Sequence, residues 1–191
     1  MGNGQVKRAS QDTARRISAI LTIIAALALV IGLFLPYVAS TGETRAQRLA
    51  HPDVYSETAA MTNGDAVDIS LVEYARAYWH MGTSDAASSQ YQTTGMFYFA
   101  LIVALFVLVA LTLALAVAGK PAGSLAFSLL ALGMLLLLSW DFESRRIIGV
   151  DAAWGFAHTL LFAAAGAAAL GSLWAIVARG RGARRAAAGK E

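Results

Sequence analysis

The residue best placed to do chemistry in this sequence is His158, because it is an ionisable side chain within an apolar segment. Desolvating such a side chain is costly, so a functional role is the default hypothesis for it. Asp151 precedes it by seven positions, which on a helix separates the two by about 10 Å along the axis. We therefore expect its partner to be Asp141 or Glu143, folding over from the preceding apolar segment, or the hydroxyl of Ser139.

Three roles are open to His158. It is a hydrogen-bonded packing residue near the membrane interface, a contact for a quinone, lipid or partner subunit, or a group that takes part in proton or metal chemistry.

The charged residues before His158 form a second candidate group of mixed sign. They are Asp141, Glu143, Arg145, Arg146 and Asp151. Solvated charges with internal pairing, docking to a subunit or to anionic headgroups, and a catalytic carboxylate pair are the three interpretations of this group.

Composition excludes several kinds of site. The chain has no cysteine, so it holds no disulfide, cysteine-ligated zinc, iron–sulfur cluster or thiol nucleophile. A bis-histidine haem needs two axial histidines in the membrane, and only His158 lies in an apolar segment. A zinc site from His51, His80 and Asp53 remains a minor alternative, and nucleotide-binding and hydrolase motifs are absent. We expect no cofactor.

The elements that would position these residues are membrane helices. The chain is 58% hydrophobic and 14% charged, which is typical of membrane proteins rather than soluble domains. Four segments are long enough to cross a bilayer as helices, at 17–36, 96–118, 124–140 and 152–178. The sequence thus predicts an all-α membrane protein with a four-transmembrane-helix bundle at 17–178. Cleavage of 1–40 as a signal peptide is the competing interpretation of the first segment.

Charge predicts the orientation of these spans. The tails at 1–16 and 179–191 and the short turn at 119–123 carry ten basic and two acidic residues. The loop at 37–95 and the turn at 141–151 carry five basic and ten acidic residues, Asp85 among them. Because lysine and arginine favour the cytoplasmic side, we expect both termini in the cytoplasm, a plasma (inner) membrane location, and outer positions for the loop and the 141–151 turn.

Aromatic residues are predicted to form a belt at the outer interface. They are Tyr37, Phe97, Tyr98, Phe99, Trp140, Phe142, Trp154 and Phe156. The outer loop itself carries a further signal, because Ser70 and Glu73 match a capping box before an amphipathic stretch that ends at Met81. We expect an interfacial helix there. Its aromatic residues either cap the bundle or dock a partner protein or a lipid, and they are Tyr74, Tyr78 and Trp79.

The last span carries a ridge of small residues at four-residue spacing. Small side chains allow helices to approach closely in lipid, where apolar burial does not favour pairing. The predicted helix-packing residues are Gly155, Thr159, Ala163, Ala167 and Gly171. Because four residues turn the helix by about 400°, one close crossing uses only part of the ridge, and we expect Ala163, Ala167 and Gly171 to form it. The neighbour is either a helix of the same bundle or an external subunit.

These features together favour a non-catalytic accessory or scaffold subunit of a larger membrane complex, with membrane lipids and other membrane subunits as partners and no nucleic acid. The alternative is a transporter or enzyme that handles a small molecule or lipid through His158 with Asp141, Glu143 or Asp151. The layout of spans and loops resembles the claudin-type tetraspan arrangement. The loop signature of that family, a tryptophan motif followed by two cysteines, is absent, so the resemblance implies no claudin function.

Overall fold

The fold is mostly helical. The computed structural model describes residues 2–57, 60–84 and 88–188, with side chains at 13 and 16–180 within those ranges. In these ranges the chain forms six α-helices and five short β-strands, with one 3₁₀ turn at Asp65–Val67. In chain order they are α1 (Gly2–Gly32), β1 (Pro36–Ser40), α2 (Gly42–Ala50), β2 (Tyr55–Ser56), β3 (Met61–Thr62), β4 (Asp68–Ser70), α3 (Leu71–Thr83), α4 (Ser89–Val117), α5 (Pro121–Ser144), β5 (Ala152–Trp154) and α6 (Phe156–Ala188).

Among the residues whose side chains the structure describes, three helices are long and apolar enough to cross a membrane: α4, α5 and the part of α6 from Phe156 to Gly180. These helices indicate a membrane protein, as predicted. The described apolar part of α1, Arg16–Gly32, is shorter than the roughly 20 residues that cross the hydrocarbon core as a helix. The helix at the predicted first span, 17–36, ends at Gly32 instead of residue 36. The chain from Pro36 onward forms strand β1.

Other predicted boundaries also shift. Helix α5 continues to Ser144, past the predicted end at 140, so only 145–151 remains of the predicted turn. The last helix begins at Phe156 rather than 152, because residues 152–154 form β5. The predicted tails are helical extensions of α1 and α6 as far as they are described, and α4 begins at Ser89, before the predicted start of its span at 96. Three of the charged residues counted for the orientation lie outside the described residues: Asp85, Lys190 and Glu191.

The helices pack as two antiparallel pairs. Gly32 of α1 lies beside Leu161 of α6, and ten residues earlier Thr22 lies beside Gly171, so the two helices run in opposite directions. An added Cβ at Gly171 would lie 2.6 Å from Thr22 Oγ1, which shows how close the helices are.

Helices α4 and α5 form the predicted hairpin. Gly119 ends α4 at a φ of +66°, and Lys120 N–H donates to the Leu115 carbonyl in the pattern of a Schellman motif. Pro121 then occupies the first turn of α5, where its missing N–H costs no hydrogen bond. We call the end of the bundle that holds this hairpin turn the turn end.

A three-stranded antiparallel sheet closes the other end of the bundle, which we call the sheet end. Its strand order is β4-β1-β5, with Val38 paired to Ile69 on one side and to Trp154 on the other. The sheet was not part of the predicted all-helical fold, because its strands are too short to show an alternating pattern. It joins the strand that follows α1 to the strand that precedes α6.

One smaller element of the loop agrees with the sequence. Helix α3 begins with the predicted capping box: Ser70 Oγ accepts from the Glu73 N–H, and the Glu73 carboxylate accepts from the Ser70 N–H at 2.7 Å. Earlier in the loop, Arg45 of α2 bonds to Asp68 of β4 by two hydrogen bonds of 2.8 and 3.1 Å. Strands β2 and β3 pair antiparallel, Tyr55 with Thr62 and Ser56 with Met61.

Candidate functional site

The hydroxyl of Ser139 is the meeting point of three elements at the sheet end. It lies 3.2 Å from Tyr37 Oη of β1, 3.1 Å from His158 Nε2 of α6, and 2.8 Å from the Leu135 carbonyl oxygen of its own helix. A carbonyl only accepts, so the Ser139 proton goes to Leu135. Both oxygen lone pairs then accept, one from the Tyr37 hydroxyl and one from a protonated His158 Nε2. This assignment satisfies all three contacts at once.

Aromatic rings surround His158. Trp154 stacks on it at 4.0 Å between ring centroids, Phe162 lies at 4.9 Å and Tyr37 at 5.6 Å. Phe142 contacts both Tyr37 and Trp154 and is fully buried. We call Tyr37, Ser139, Phe142, Trp154 and His158 the Ser139 cluster.

The sheet positions this cluster. Gly155 N–H donates to the Tyr37 carbonyl at 2.8 Å, which extends the β1–β5 ladder to the start of α6. An added Cβ at Gly155 would lie 2.2 Å from the Pro36 carbonyl oxygen, so this close approach requires glycine. The pairing of β1 with β5 thus holds the side chains of Tyr37 and Trp154 beside α5 and α6.

A second polar group lies between α4 and α5. Asp141 Oδ1 accepts from the Tyr98 hydroxyl at 2.9 Å and from Arg145 Nε at 3.1 Å, and the Arg145 guanidinium lies 4.0 Å above the Tyr98 ring. Asp141 Oδ2 is buried without a hydrogen-bond partner in the described chain. Sequence reasoning missed Tyr98 as a partner of this pair, because it lies 43 residues from Asp141.

The remaining predicted charges are not brought together. Glu143 and Arg146 are exposed, and Arg146 has a φ of 58°, where it ends α5 in a position that glycine usually occupies. Asp151 is exposed and accepts from Thr44 Oγ1 at 3.0 Å. Of the partners considered for His158, the structure thus gives a hydrogen bond to Ser139.

The aromatic residues divide between the core and the surface. Tyr37, Tyr98 and Phe142 are buried, so the predicted belt loses these three members, whereas Phe97, Trp140 and Phe156 are exposed as a belt requires. In α3, Tyr74 packs on Phe142 at 5.1 Å and Tyr78 packs on Tyr98 at 5.2 Å. Only Trp79 of the predicted docking residues is exposed, so these contacts favour the capping interpretation of α3.

The predicted small-residue ridge of α6 is split between two faces. Gly155 and Gly171 are buried, but Thr159, Ala163 and Ala167 are exposed. The face that packs inside the bundle is different, and its other buried members are Ala157, Leu161, Ala164, Ala165, Ala168, Ala169, Ser172 and Ala175. The expected crossing through Ala163 and Ala167 is therefore not made within this chain, because the ridge drifts away from the buried face.

The arrangement at the sheet end is suited to packing. A serine beside a histidine resembles a nucleophile and its base, but the Ser139 proton is held by a carbonyl and His158 is stacked among rings. No group of three metal-ligating side chains is found in the described ranges, and His80 Nε2 lies 3.0 Å from the Glu57 carbonyl oxygen.

In three comparisons with known proteins, no protein-family model, curated protein or solved structure matches the chain.

Replacing Ser139 tests the hydrogen-bond assignment. Ser139→Ala leaves the Tyr37 hydroxyl and His158 Nε2 without their acceptor, so we expect it to lower the free energy of unfolding by about 1–3 kcal/mol. Tyr37→Phe removes one donor and leaves Ser139 bonded to His158, so its effect on this hydrogen-bond set should be smaller. Denaturant unfolding in detergent measures both. Ser144→Ala is the control, since that hydroxyl bonds only within its own exposed helix end. Equal stability of the Ser139 and Ser144 variants would contradict the assignment.

Buried tyrosines predict a loss of stability in alkali. Burial raises the pKa of Tyr37 and of Tyr78 to about 12 and raises that of Tyr74 as well. In the unfolded chain a tyrosine has a pKa of about 10. Because the folded state disfavours the phenolate, this stabilisation is complete below pH 10 and is lost as the pH rises through about 12. Unfolding measured against pH should show a smaller alkaline loss for Tyr37→Phe than for the unchanged chain, and identical profiles would contradict burial of Tyr37.

Proposed function

We propose that α1 is a fourth span and that both termini lie in the cytoplasm, with the protein in the plasma membrane. Helix α1 packs antiparallel along α6, which is itself long enough to cross, so α1 shares its depth. Arg16, Gly119 and Arg179 line one cavity, so the start of the apolar part of α1, the α4–α5 turn and the late part of α6 meet at the turn end. The segments that meet there hold ten of the fifteen basic residues, which supports a cytoplasmic turn end.

Labelling of single cysteines tests this placement, and the chain is free of native cysteine. In intact cells a membrane-impermeant thiol reagent should modify Asp53→Cys, in the loop after α2. It should modify Ala118→Cys, an exposed position with a φ of −68° at the α4–α5 turn, only after the cells are opened. Labelling of Ala118→Cys in intact cells, at the rate seen for Asp53→Cys, would contradict the orientation.

We further propose that the protein is a non-catalytic scaffold or accessory subunit of a membrane complex. Two of the polar groups that sequence analysis marked as candidates are engaged inside the chain, since His158 bonds to Ser139 and Asp141 Oδ1 accepts from Tyr98 and Arg145. A transporter or enzyme built on His158 with Asp141 or Asp151 would require a different arrangement of these groups. This observation favours the scaffold over the alternative.

The observation that carries the proposal is the outward face of α6. Its centre is made of Thr159, Ala163 and Ala167, while Leu170 and Trp174 extend the face with large exposed side chains. A shallow groove of small residues between larger ones lets a partner helix approach the backbone closely. Lipid chains gain little from such a groove, so its natural occupant is another transmembrane helix.

Filling the groove tests this role. The pair Ala163→Phe and Ala167→Phe changes only exposed positions, so the chain should fold and insert as before. We expect it to reduce copurification of the chain's stoichiometric partner in mild detergent at least tenfold, measured by mass spectrometry of the intact assembly. The matched control is Ala110→Phe with Ala126→Phe, which adds the same bulk to exposed positions of α4 and α5. Equal recovery of the same assembly with both pairs, or a chain that is never found in an assembly, would contradict the proposal.

A further inference from the structure

A cavity of about 460 Å³ lies at the turn end, between α1, α6 and the hairpin of α4 and α5. This volume is within the range of sites that hold small ligands. Its lining residues are Arg16, Ala19, Thr22, Ala116, Gly119, Pro121, Ser124, Ser172, Ala175 and Arg179. Two of these are arginines and none is acidic, so the cavity carries an excess of positive charge.

The two arginines enter the cavity from opposite helices. Arg179 Nη2 donates to the Gly119 carbonyl oxygen at 2.8 Å, which anchors the α6 side chain over the hairpin turn and leaves its other N–H groups to a ligand. Arg16 belongs to α1 and is exposed. A guanidinium has five N–H donors in a planar fork that matches phosphate oxygens, so the pair is suited to grip one phosphate from two sides.

The floor of the cavity adds to this preference. Pro121 and Ser124 belong to the first turn of α5, and the N-terminus of a helix attracts anions through its partial positive charge. Ser172 Oγ donates to Ser124 Oγ at 3.2 Å and Ser124 Oγ donates to the Thr112 carbonyl oxygen at 3.4 Å, so both hydroxyl protons are used within the chain and this wall is polar but offers no donor. The arginines and the helix terminus are the two features that favour an anion.

We propose that this cavity binds the phosphate of an anionic phospholipid headgroup. The cavity opens where membrane helices end, which is the depth of lipid phosphates. Ile20 and Ile24 follow Arg16 at four-residue spacing along α1 and are each 57% exposed, so an apolar track for an acyl chain leads away from the phosphate position. A basic pocket between helices on the cytoplasmic side is a recognised form of headgroup site. The inference rests on the proposed placement of the turn end at the cytoplasmic membrane surface, but it does not depend on the scaffold role.

Lipid binding to the purified full chain tests the proposal. Phosphatidylglycerol and phosphatidylcholine with identical acyl chains are titrated separately into detergent-solubilised protein, and bound lipid is counted by native mass spectrometry. We expect phosphatidylglycerol to bind at least tenfold more tightly. The double variant Arg16→Gln with Arg179→Gln should lose this preference, while Arg76→Gln, an exposed arginine of α3 at the sheet end, should retain it. Equal binding of the two lipids, or equal loss in the control, would overturn the proposal.

A second pair of variants places the lipid in the cavity without changing charge. Ala19 is exposed and lines the cavity, so Ala19→Phe fills its mouth, whereas Ala110→Phe makes the same change at an exposed position of α4, outside both the lining and the apolar track. Only Ala19→Phe should abolish the preference. Inorganic phosphate is the competing ligand: if it displaces phosphatidylglycerol at an equal concentration, the site recognises a free anion and the headgroup proposal is wrong. Retention of the preference in Ala19→Phe would overturn it too.

Discussion

Polar groups near the end of a membrane helix must find partners within the protein, and this constraint shapes the sheet end. The backbone of β1 is paired on both edges, to β4 and to β5, so the chain leaves α1 without exposing unpaired groups. Ser139 meets the same requirement for side chains by accepting from Tyr37 and His158. Since β1 follows α1 and β5 precedes α6, one strand pair and one hydroxyl link α1, α5 and α6 at the sheet end, in addition to the apolar core between these helices.

Helix α6 has one face that packs inside the bundle and an opposite face that is exposed. The inward side of α6 packs against α1 and α5, and its glycines at 155 and 171 sit where the backbone of other segments passes closely. Thr159, Ala163 and Ala167 lie opposite and contact no core. A helix in lipid gains stability from close packing of small residues rather than from apolar burial, so this face gains from a partner in a way that a leucine-rich face would not.

Much of the helical frame was predictable, because it follows from local signals. The apolar length of α4, α5 and α6, the turn at Gly119-Lys120-Pro121 and the capping box of Ser70 and Glu73 are each contained in a short stretch of sequence. Other features depend on segments that are far apart in the chain. They are the sheet, the Tyr98–Asp141 hydrogen bond and the hydrogen bond between His158 and Ser139. Spacing alone left open whether the small-residue ridge of α6 faces the bundle or an external subunit, because alanines occupy nearly all sides of this helix.

Photo-crosslinking along α6 in intact membranes tests the central claim most directly. A photoreactive residue is placed in turn at 163, 164, 165, 167, 168 and 170, with 110 on α4 as the reference. We predict crosslinks to one protein species of constant mass from the outward positions 163, 167 and 170, and none to that species from 164, 165 and 168. A pattern without helical periodicity, or outward positions that crosslink only lipid as position 110 does, would contradict a scaffold that works through this face.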